Sequence, residues 1–270
     1  MKRVYLEITN ACNLNCSFCR QNKGNSFIDI NTIENYLLQI KEITSYIYLH
    51  VLGEPLLHKD IEEILSLLDK YDFKLQLVTN GVLLNRYPNI LEHKSLRKLS
   101  ISIHSINNLN ISNSYFNTIN NLIENNNNKI IELRFYDLNN LDSDLYNYLN
   151  YLDEKYHFKE TKKDRSYKLK DDVYIYSQEM FKWPDFNDED IGEDGYCHGL
   201  IDQIAILHNG DVTSCCLDPL GYNVLGNLND NSLNDILESP LYKKALDELK
   251  NRHLILPLCK KCTYRLRFSK

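Results

Sequence analysis

The sequence predicts an α/β fold: parallel strands joined by crossover helices, followed by a small α+β extension. Two observations carry this. Apolar strand-like runs alternate with helical patterns through the first half of the chain, and such alternation builds a parallel sheet with right-handed connections. The cysteines divide into two groups at opposite ends. Cys12, Cys16 and Cys19 form one, and Cys197, Cys215, Cys216, Cys259 and Cys262 form the other, with none between positions 20 and 196.

The strand-like runs are residues 4–9, 46–52, 73–79, 99–105 and 130–136. Helices are expected near 31–43, 58–71, 86–93, 112–125 and 142–155. In the second of these Ile61, Ile64, Leu65, Leu67 and Leu68 fall close to one face, as an amphipathic helix requires. A possible strand at 172–176 adds a sixth unit. The run Asn125-Asn126-Asn127-Asn128 reads as a polar helix-to-strand loop. In the tail, residues 203–207 and 212–215 read as two short strands joined by His208-Asn209-Gly210-Asp211, because Asn-Gly is a strong hairpin signal. A helical segment over 232–236 and 241–249 then returns the chain to the last cysteine pair.

With 270 residues the chain is long enough to bury a sizeable core. Its net charge of −6 argues against a broad nucleic-acid-binding face. No apolar run is long enough to span a bilayer, and no early stretch has the pattern of a signal peptide, so a cytoplasmic location is expected. Tight cysteine clusters in such a chain read as metal sites rather than as a disulfide framework.

The first group lies in Cys12-Asn13-Leu14-Asn15-Cys16-Ser17-Phe18-Cys19, a loop that follows the first strand. Three thiolates can hold a metal or an iron–sulfur cluster. A loop that supplies three ligands to a four-iron cluster leaves one iron open to a small molecule. A zinc loop, or three unconnected thiols, is the plainer reading of the spacing. With its aromatic before the last Cys, the motif resembles the signature loop of the radical S-adenosylmethionine (SAM) enzymes. That resemblance implies a partial, six-unit TIM-like barrel, a [4Fe–4S] cluster on Cys12, Cys16 and Cys19, and SAM chelated at the open iron. It implies reductive cleavage of SAM to a 5'-deoxyadenosyl radical that abstracts hydrogen from a substrate, and places Phe18 near the adenine. Functional groups of such barrels gather at the carboxyl ends of the strands.

The other strand ends agree. The second runs into Leu52-Gly53-Glu54-Pro55, where the family has a Gly-Gly-Glu segment that holds the SAM amino group. Leu52 replaces the first glycine, and Gly53 and Glu54 remain. The third ends in Thr79-Asn80-Gly81, a polar turn suited to shaping the loop. On the fourth, alternation puts Ser100, Ser102 and His104 on one face. Ser102 suits the SAM ribose, and His104 is a catalytic candidate nearer the substrate. On the fifth, Glu132 and Arg134 share a face. Arg134 suits the SAM carboxylate, an anionic substrate, or a structural ion pair with Glu132 or another carboxylate.

The tail spacing is Cys197, twelve residues, Gly210, four residues, Cys215, then Cys259-Lys260-Lys261-Cys262. Four thiolates hold zinc or a [4Fe–4S] cluster, and spacing alone does not choose. Behind a barrel of this kind the pattern resembles the auxiliary-cluster extensions called SPASM and twitch. With no cysteine after Cys262 it is similar to the shorter, one-cluster twitch form. The ligands implied are Cys197, Cys215, Cys259 and Cys262, with a one-residue ambiguity between Cys215 and Cys216. Asp218 is either a general base or a turn former before Pro219.

The expected organisation is a barrel core over 1–155, a connector with a possible last strand over 156–196, and an auxiliary-cluster domain over 197–270. The expected cofactors are two [4Fe–4S] clusters and SAM. The expected partners are a small-molecule or peptide substrate and an electron donor such as flavodoxin or ferredoxin, with no membrane or nucleic acid. The expected function is a radical SAM oxidase whose second cluster accepts an electron from the substrate radical. The alternatives are a radical SAM peptide- or protein-modifying enzyme and a non-enzymatic iron–sulfur or zinc protein of binding or electron transfer.

Overall fold

The computed structural model describes residues 1–20, 24–107, 109, 113–161 and 165–268. They fall into two units, one of residues 1–74 with 181–270 and the other of residues 75–180. In chain order the first unit begins with β1 (Arg3–Leu6), α1 (Ile30–Lys41), β2 (Tyr46–Tyr48) and α2 (Ile61–Lys70). Val4, Leu6 and Ile47 are buried, as are Ile33, Leu37 and Ile40 of α1. Asp29 caps α1 by accepting from the backbone N–H groups of Asn31 and Thr32, both at 3.1 Å. On α2 the predicted apolar face is present, with Ile61, Ile64, Leu65 and Leu68 buried.

The second unit runs from β3 (Lys74–Thr79) through β4 (Leu96–Ser102), α3 (Asn113–Glu124), β5 (Ile130–Tyr136), α4 (Ser143–Tyr156), β6 (Lys159–Glu160), β7 (Ser166–Lys170) and β8 (Val173–Gln178). β3, β4, β5 and β8 pair in that order, all parallel, and β7 and β6 continue antiparallel. The possible strand at 172–176 is thus the parallel strand β8. The helix expected near 86–93 does not form. Two short 3-10 turns, Leu84–Arg86 and Ile90–Glu92, take its place. Pro88 between them lacks an N–H and disfavours helical backbone at Tyr87. The first residue of the helix expected at 112–125 lies outside the described residues.

The first unit resumes with β9 (Gln203–Ile206), β10 (Asp211–Thr213), β11 (Val224–Asn227), α5 (Leu233–Glu238), α6 (Pro240–Lys250) and α7 (Pro257–Lys261). β9 and β10 are the predicted hairpin, and α5 and α6 the predicted helices. β11 was not expected from sequence, being short and interrupted by Gly226. Because β9 pairs parallel with β1, and β1 with β2, the tail is built directly onto the first strand. One face of these strands, carrying Val4, Leu6, Ile47, Ile204 and Ile206, is wholly buried. The opposite face carries Arg3, Tyr5, Tyr48, Gln203 and Ala205.

Candidate functional site

The three-cysteine loop starts where β1 ends. Thr9 and Asn10 close its root against residues 26–28. The Thr9 hydroxyl donates to Ser26 O at 2.7 Å, Asn10 Oδ1 accepts from Ser26 N at 2.9 Å, and Thr9 bridges Phe27. Within the loop Cys19 N donates to Cys16 O at 3.1 Å, and all three thiols are half-buried. The predicted Gly53–Glu54 turn docks on the same root. Glu54 N donates to Ala11 O at 2.7 Å. Gly53 has φ +74°, and a Cβ there would lie 2.3 Å from Thr9 O. Glycine is required on both counts. Glu54 is buried, and its Oε1 caps the following turn by accepting from Leu56 N at 3.1 Å.

Beneath the turn lies a carboxylate that sequence reasoning passed over. Glu7, wholly buried, accepts from Leu52 N at 2.9 Å through Oε1. Its Oε2 accepts from His208 N at 3.2 Å and His208 Nδ1 at 2.8 Å. With Nδ1 donating, His208 Nε2 is left to accept from Asn10 Nδ2 at 3.1 Å. One side chain therefore ties the Leu52–Glu54 turn to the β9–β10 hairpin, and His208 carries the tie to the cysteine loop. The available signal was a charged residue inside an otherwise apolar strand-like run.

In the second unit Thr79-Asn80-Gly81 shapes its loop, as expected. Gly81 N donates to Thr79 Oγ1 and Val82 N to Asn80 Oδ1, both at 3.0 Å, and Gly81 has φ +83°. β4 stops at Ser102, and Ile103–Ile106 forms a 3-10 turn. The expected strand alternation therefore places Ser100 and Ser102 but not His104. Both serines are buried, and Ser102 is in register with Arg134. Glu132 pairs with Lys98. His104 Nδ1 donates to Arg134 O at 3.0 Å, and its ring stacks on Tyr136 at 3.7 Å. Burial, and then the nearby Arg134 charge, pushes the imidazole down to about 3. His104 is therefore a neutral hydrogen-bonding group near pH 7 and a poor store for a proton.

The tail thiols of Cys197, Cys215, Cys259 and Cys262 gather around one region of the first unit. Gly199 lies between two of them: its Cβ would stand 3.8 Å from Cys197 Sγ and 3.6 Å from Cys215 Cβ. Gly199 N donates to Cys197 Sγ and Asn223 Nδ2 to Cys259 Sγ, each at 3.4 Å. Burial, and then the negative charge of Cys197 and Cys262, pushes the Cys259 thiol up to about 12. Burial, with repulsion from Cys216, Cys197 and Cys259, raises the Cys215 thiol well above its ordinary range. Cys216 turns the other way and packs against Tyr5, Val51, Ala205 and Leu207. Among the described residues no three His, Cys, Asp or Glu side chains stand close enough to share a single metal ion. Four cysteine thiolates are the donor set of a zinc ion or of a four-iron cluster. Asp218, also wholly buried, accepts from Tyr222 N at 2.8 Å and Asn223 N at 2.7 Å. Its carboxylate is spent on holding this loop.

A third group occupies the polar face of β1, β2 and β9. Tyr5 stacks on Tyr48 with centroids 4.4 Å apart, His50 meets Tyr5 edge-on at 5.6 Å, and the Arg3 guanidinium lies over Tyr48 at 5.9 Å. Gln203 and Cys216 border it. Arg20, next to Cys19, pairs with Asp185 and donates to Pro184 O at 2.7 Å and Tyr222 Oη at 3.3 Å. Neither the aromatic group nor Arg20 was singled out from sequence, because their partners are remote in the chain.

Residues 6–133 match the family model of the radical SAM superfamily, and residues 197–263 match that of SPASM, an iron–sulfur cluster-binding domain. GTP 3',8-cyclase of Aquifex aeolicus (strain VF5) is 31% identical over 120 residues, which are 40% of this chain and 36% of that protein. The chain spans between a third and two fifths of the length of the first curated relatives it matches. Among solved structures, BtrN in complex with AdoMet and 2-DOIA aligns with TM-score 0.57 at 15% identity, covering 97% of this chain and 92% of that one. Native anSMEcpe with bound AdoMet and Cp18Cys peptide aligns with TM-score 0.61 at 14% identity, covering 100% and 88%. At such identities these likenesses establish the fold, a partial TIM-like barrel with a C-terminal extension.

Proposed function

We propose that the chain, whose residues 6–133 match the radical SAM superfamily and whose residues 197–263 match an iron–sulfur cluster-binding domain, is an enzyme that cleaves SAM reductively and oxidises a small hydroxylated substrate. When bound, a [4Fe–4S] cluster with SAM supplies a 5'-deoxyadenosyl radical, and a second, fully ligated cluster supplies an electron acceptor. The substrate gives up a hydrogen atom to that radical and then one electron and one proton, a two-electron oxidation overall. The reading rests on one observation: two cysteine groups, three thiols on one loop and four from separate segments of the tail, each with its own hydrogen-bonding framework.

Cys12, Cys16 and Cys19 hold the first cluster and leave one iron for SAM. Gly53 lets the backbone of the turn approach the loop root, and Glu54 takes the SAM ammonium. Phe18 covers the adenine, Ser102 takes a ribose hydroxyl, and Arg134 takes the carboxylate through its planar fork. Cys197, Cys215, Cys259 and Cys262 hold the second cluster. The Tyr5–Tyr48 stack, with Arg3 and Gln203 beside it, offers ring faces and polar groups of the kind a hydroxylated ring uses. A flavodoxin or ferredoxin serves as the reductant.

The test is anaerobic reconstitution with iron and sulfide, then reductant and SAM, with 5'-deoxyadenosine as the readout. The expected loading is about eight irons per chain, from two four-iron clusters. No 5'-deoxyadenosine from the loaded protein would overturn the enzymatic reading. Zinc in the tail would overturn the electron-acceptor role. Turnover of a peptide but of no hydroxylated small molecule would keep the radical chemistry and overturn the substrate class.

A further inference from the structure

Arg265 lies three residues beyond Cys262, in the turn Thr263–Phe268, and is 1% exposed. It is among the largest fully buried side chains of the protein. Its Nη1 donates to Asp194 O, and its Nη2 to Gly192 O and, at 3.3 Å, to Ile191 O. These partners are backbone carbonyls, which carry no net charge. Its Nε is buried and has no hydrogen-bond partner among the described residues. Burying a full charge costs several kcal/mol unless an opposite charge answers it. Three carbonyl dipoles answer part of that cost and leave a donor unused. Among the described residues the site is short of an anion.

The anion is close at hand in the cysteine group. A Cβ at Gly195, two residues before Cys197, would stand 2.6 Å from Arg265 Nη1, and the turn that carries Arg265 begins directly after Cys262, so the guanidinium lies beside the chain at two of the four cysteines. A four-iron cluster on four thiolates is net negative in both oxidation states, and reduction adds one more negative charge. A buried cation beside it lowers the energy of the reduced state more than that of the oxidised state. Net charge around a cluster and hydrogen bonds to its sulfurs are recognised determinants of its potential. Asn223, buried and donating to Cys259 Sγ, acts in the same direction from another side.

We propose that Arg265 is the buried counter-charge of the auxiliary iron–sulfur cluster and raises its reduction potential, so that it accepts an electron from substrate more readily. This rests on the reading of Cys197, Cys215, Cys259 and Cys262 as cluster ligands. Arg265 is a positioning and tuning residue. It also anchors residues 191–194, so the test must separate charge from anchoring.

The test uses the full chain with Cys12, Cys16 and Cys19 replaced by Ala, so that the only cluster signal comes from the tail. In that parent, Arg265→Met removes the charge, and Arg265→Lys keeps it while losing the planar fork. The midpoint potential is read by redox titration followed by electron paramagnetic resonance. Arg265→Met is expected to shift the midpoint downward, and Arg265→Lys to stay near the parent. Cluster loading by Arg265→Lys but not by Arg265→Met would also support a counter-charge. An Arg265→Met variant that loads with the parent's midpoint, or failure of both variants to load, would overturn it, leaving Arg265 an anchor of residues 191–194. A parent that binds no cluster would instead overturn the ligand reading, and this inference with it.

Discussion

Removing the Glu7 carboxylate tests whether the Leu52–Glu54 turn and the β9–β10 hairpin are coupled through one side chain. Glu7→Ala leaves three donors without their acceptor: Leu52 N, His208 N and His208 Nδ1. Each lost bond to a buried charged acceptor costs about 1–1.5 kcal/mol when water partly replaces it. Such replacement is open to His208, whose side chain is 25% exposed, and far less to the buried Leu52. Summed over the three bonds, with the greater cost at Leu52, the total is about 3–5 kcal/mol. At about 2–4 °C per kcal/mol for a unit of this size, Tm falls by about 6–20 °C. Glu7→Gln keeps one acceptor oxygen and turns an N–H towards another N–H, so it falls between wild type and Glu7→Ala. The assay is thermal unfolding of the apoprotein for Glu7→Ala, His208→Ala and the double variant. The two substitutions share bonds, so their effects should be markedly less than additive. Strict additivity, or a Tm loss below about 2 °C for Glu7→Ala, would refute the coupling.

Four further outcomes are expected. Gly53→Ala forces a Cβ against Thr9 O in backbone that disfavours L-residues by about 1–2 kcal/mol, and should abolish SAM binding measured by equilibrium dialysis; wild-type affinity would show that the turn does not need its close approach to the loop. Asp218→Asn should destabilise the apoprotein by about 1–3 kcal/mol in urea unfolding, since its amide N–H would face a backbone donor; an unchanged midpoint with lost turnover would instead favour a proton-transfer role. Cys215→Ser should lose about four irons while Cys216→Ser keeps them, by iron analysis after reconstitution, and the reverse result would exchange their assignments. His104 sits at about 3 in the folded protein, below its ordinary 6.5, so the unfolded chain takes up a proton that the folded one refuses. Stability is full above about pH 6.5 and declines as pH falls towards 3. Between pH 7.5 and 5.5 wild type should lose about 1.4 kcal/mol more than His104→Gln in urea unfolding, and equal losses would show that the imidazole is not held neutral.

The local features were legible because their causes are local. The strand–helix alternation, the amphipathic face of α2 and the β9–β10 hairpin each follow from residues within a few positions of one another. The helix expected near 86–93 failed for an equally local reason, Pro88, whose effect outweighs the apolar spacing around it. The ending of β4 at Ser102 was not legible, because alternation continues through His104 while the backbone turns. His104 is held there by Arg134 O, thirty residues away, and no pattern around Ser100–Ser105 reports that partner.

Sequence alone determined the two cysteine groups, their spacing and the Gly53–Glu54 turn, since covalent spacing sets which thiols one loop can offer. Tertiary structure decided where the buried charges went. Glu7 meets His208 across 201 positions, and Arg265 meets Asp194 across 71. The reason is physical: a charge taken out of water must find its partner wherever the folded chain passes, and nearness in the sequence has no say in that.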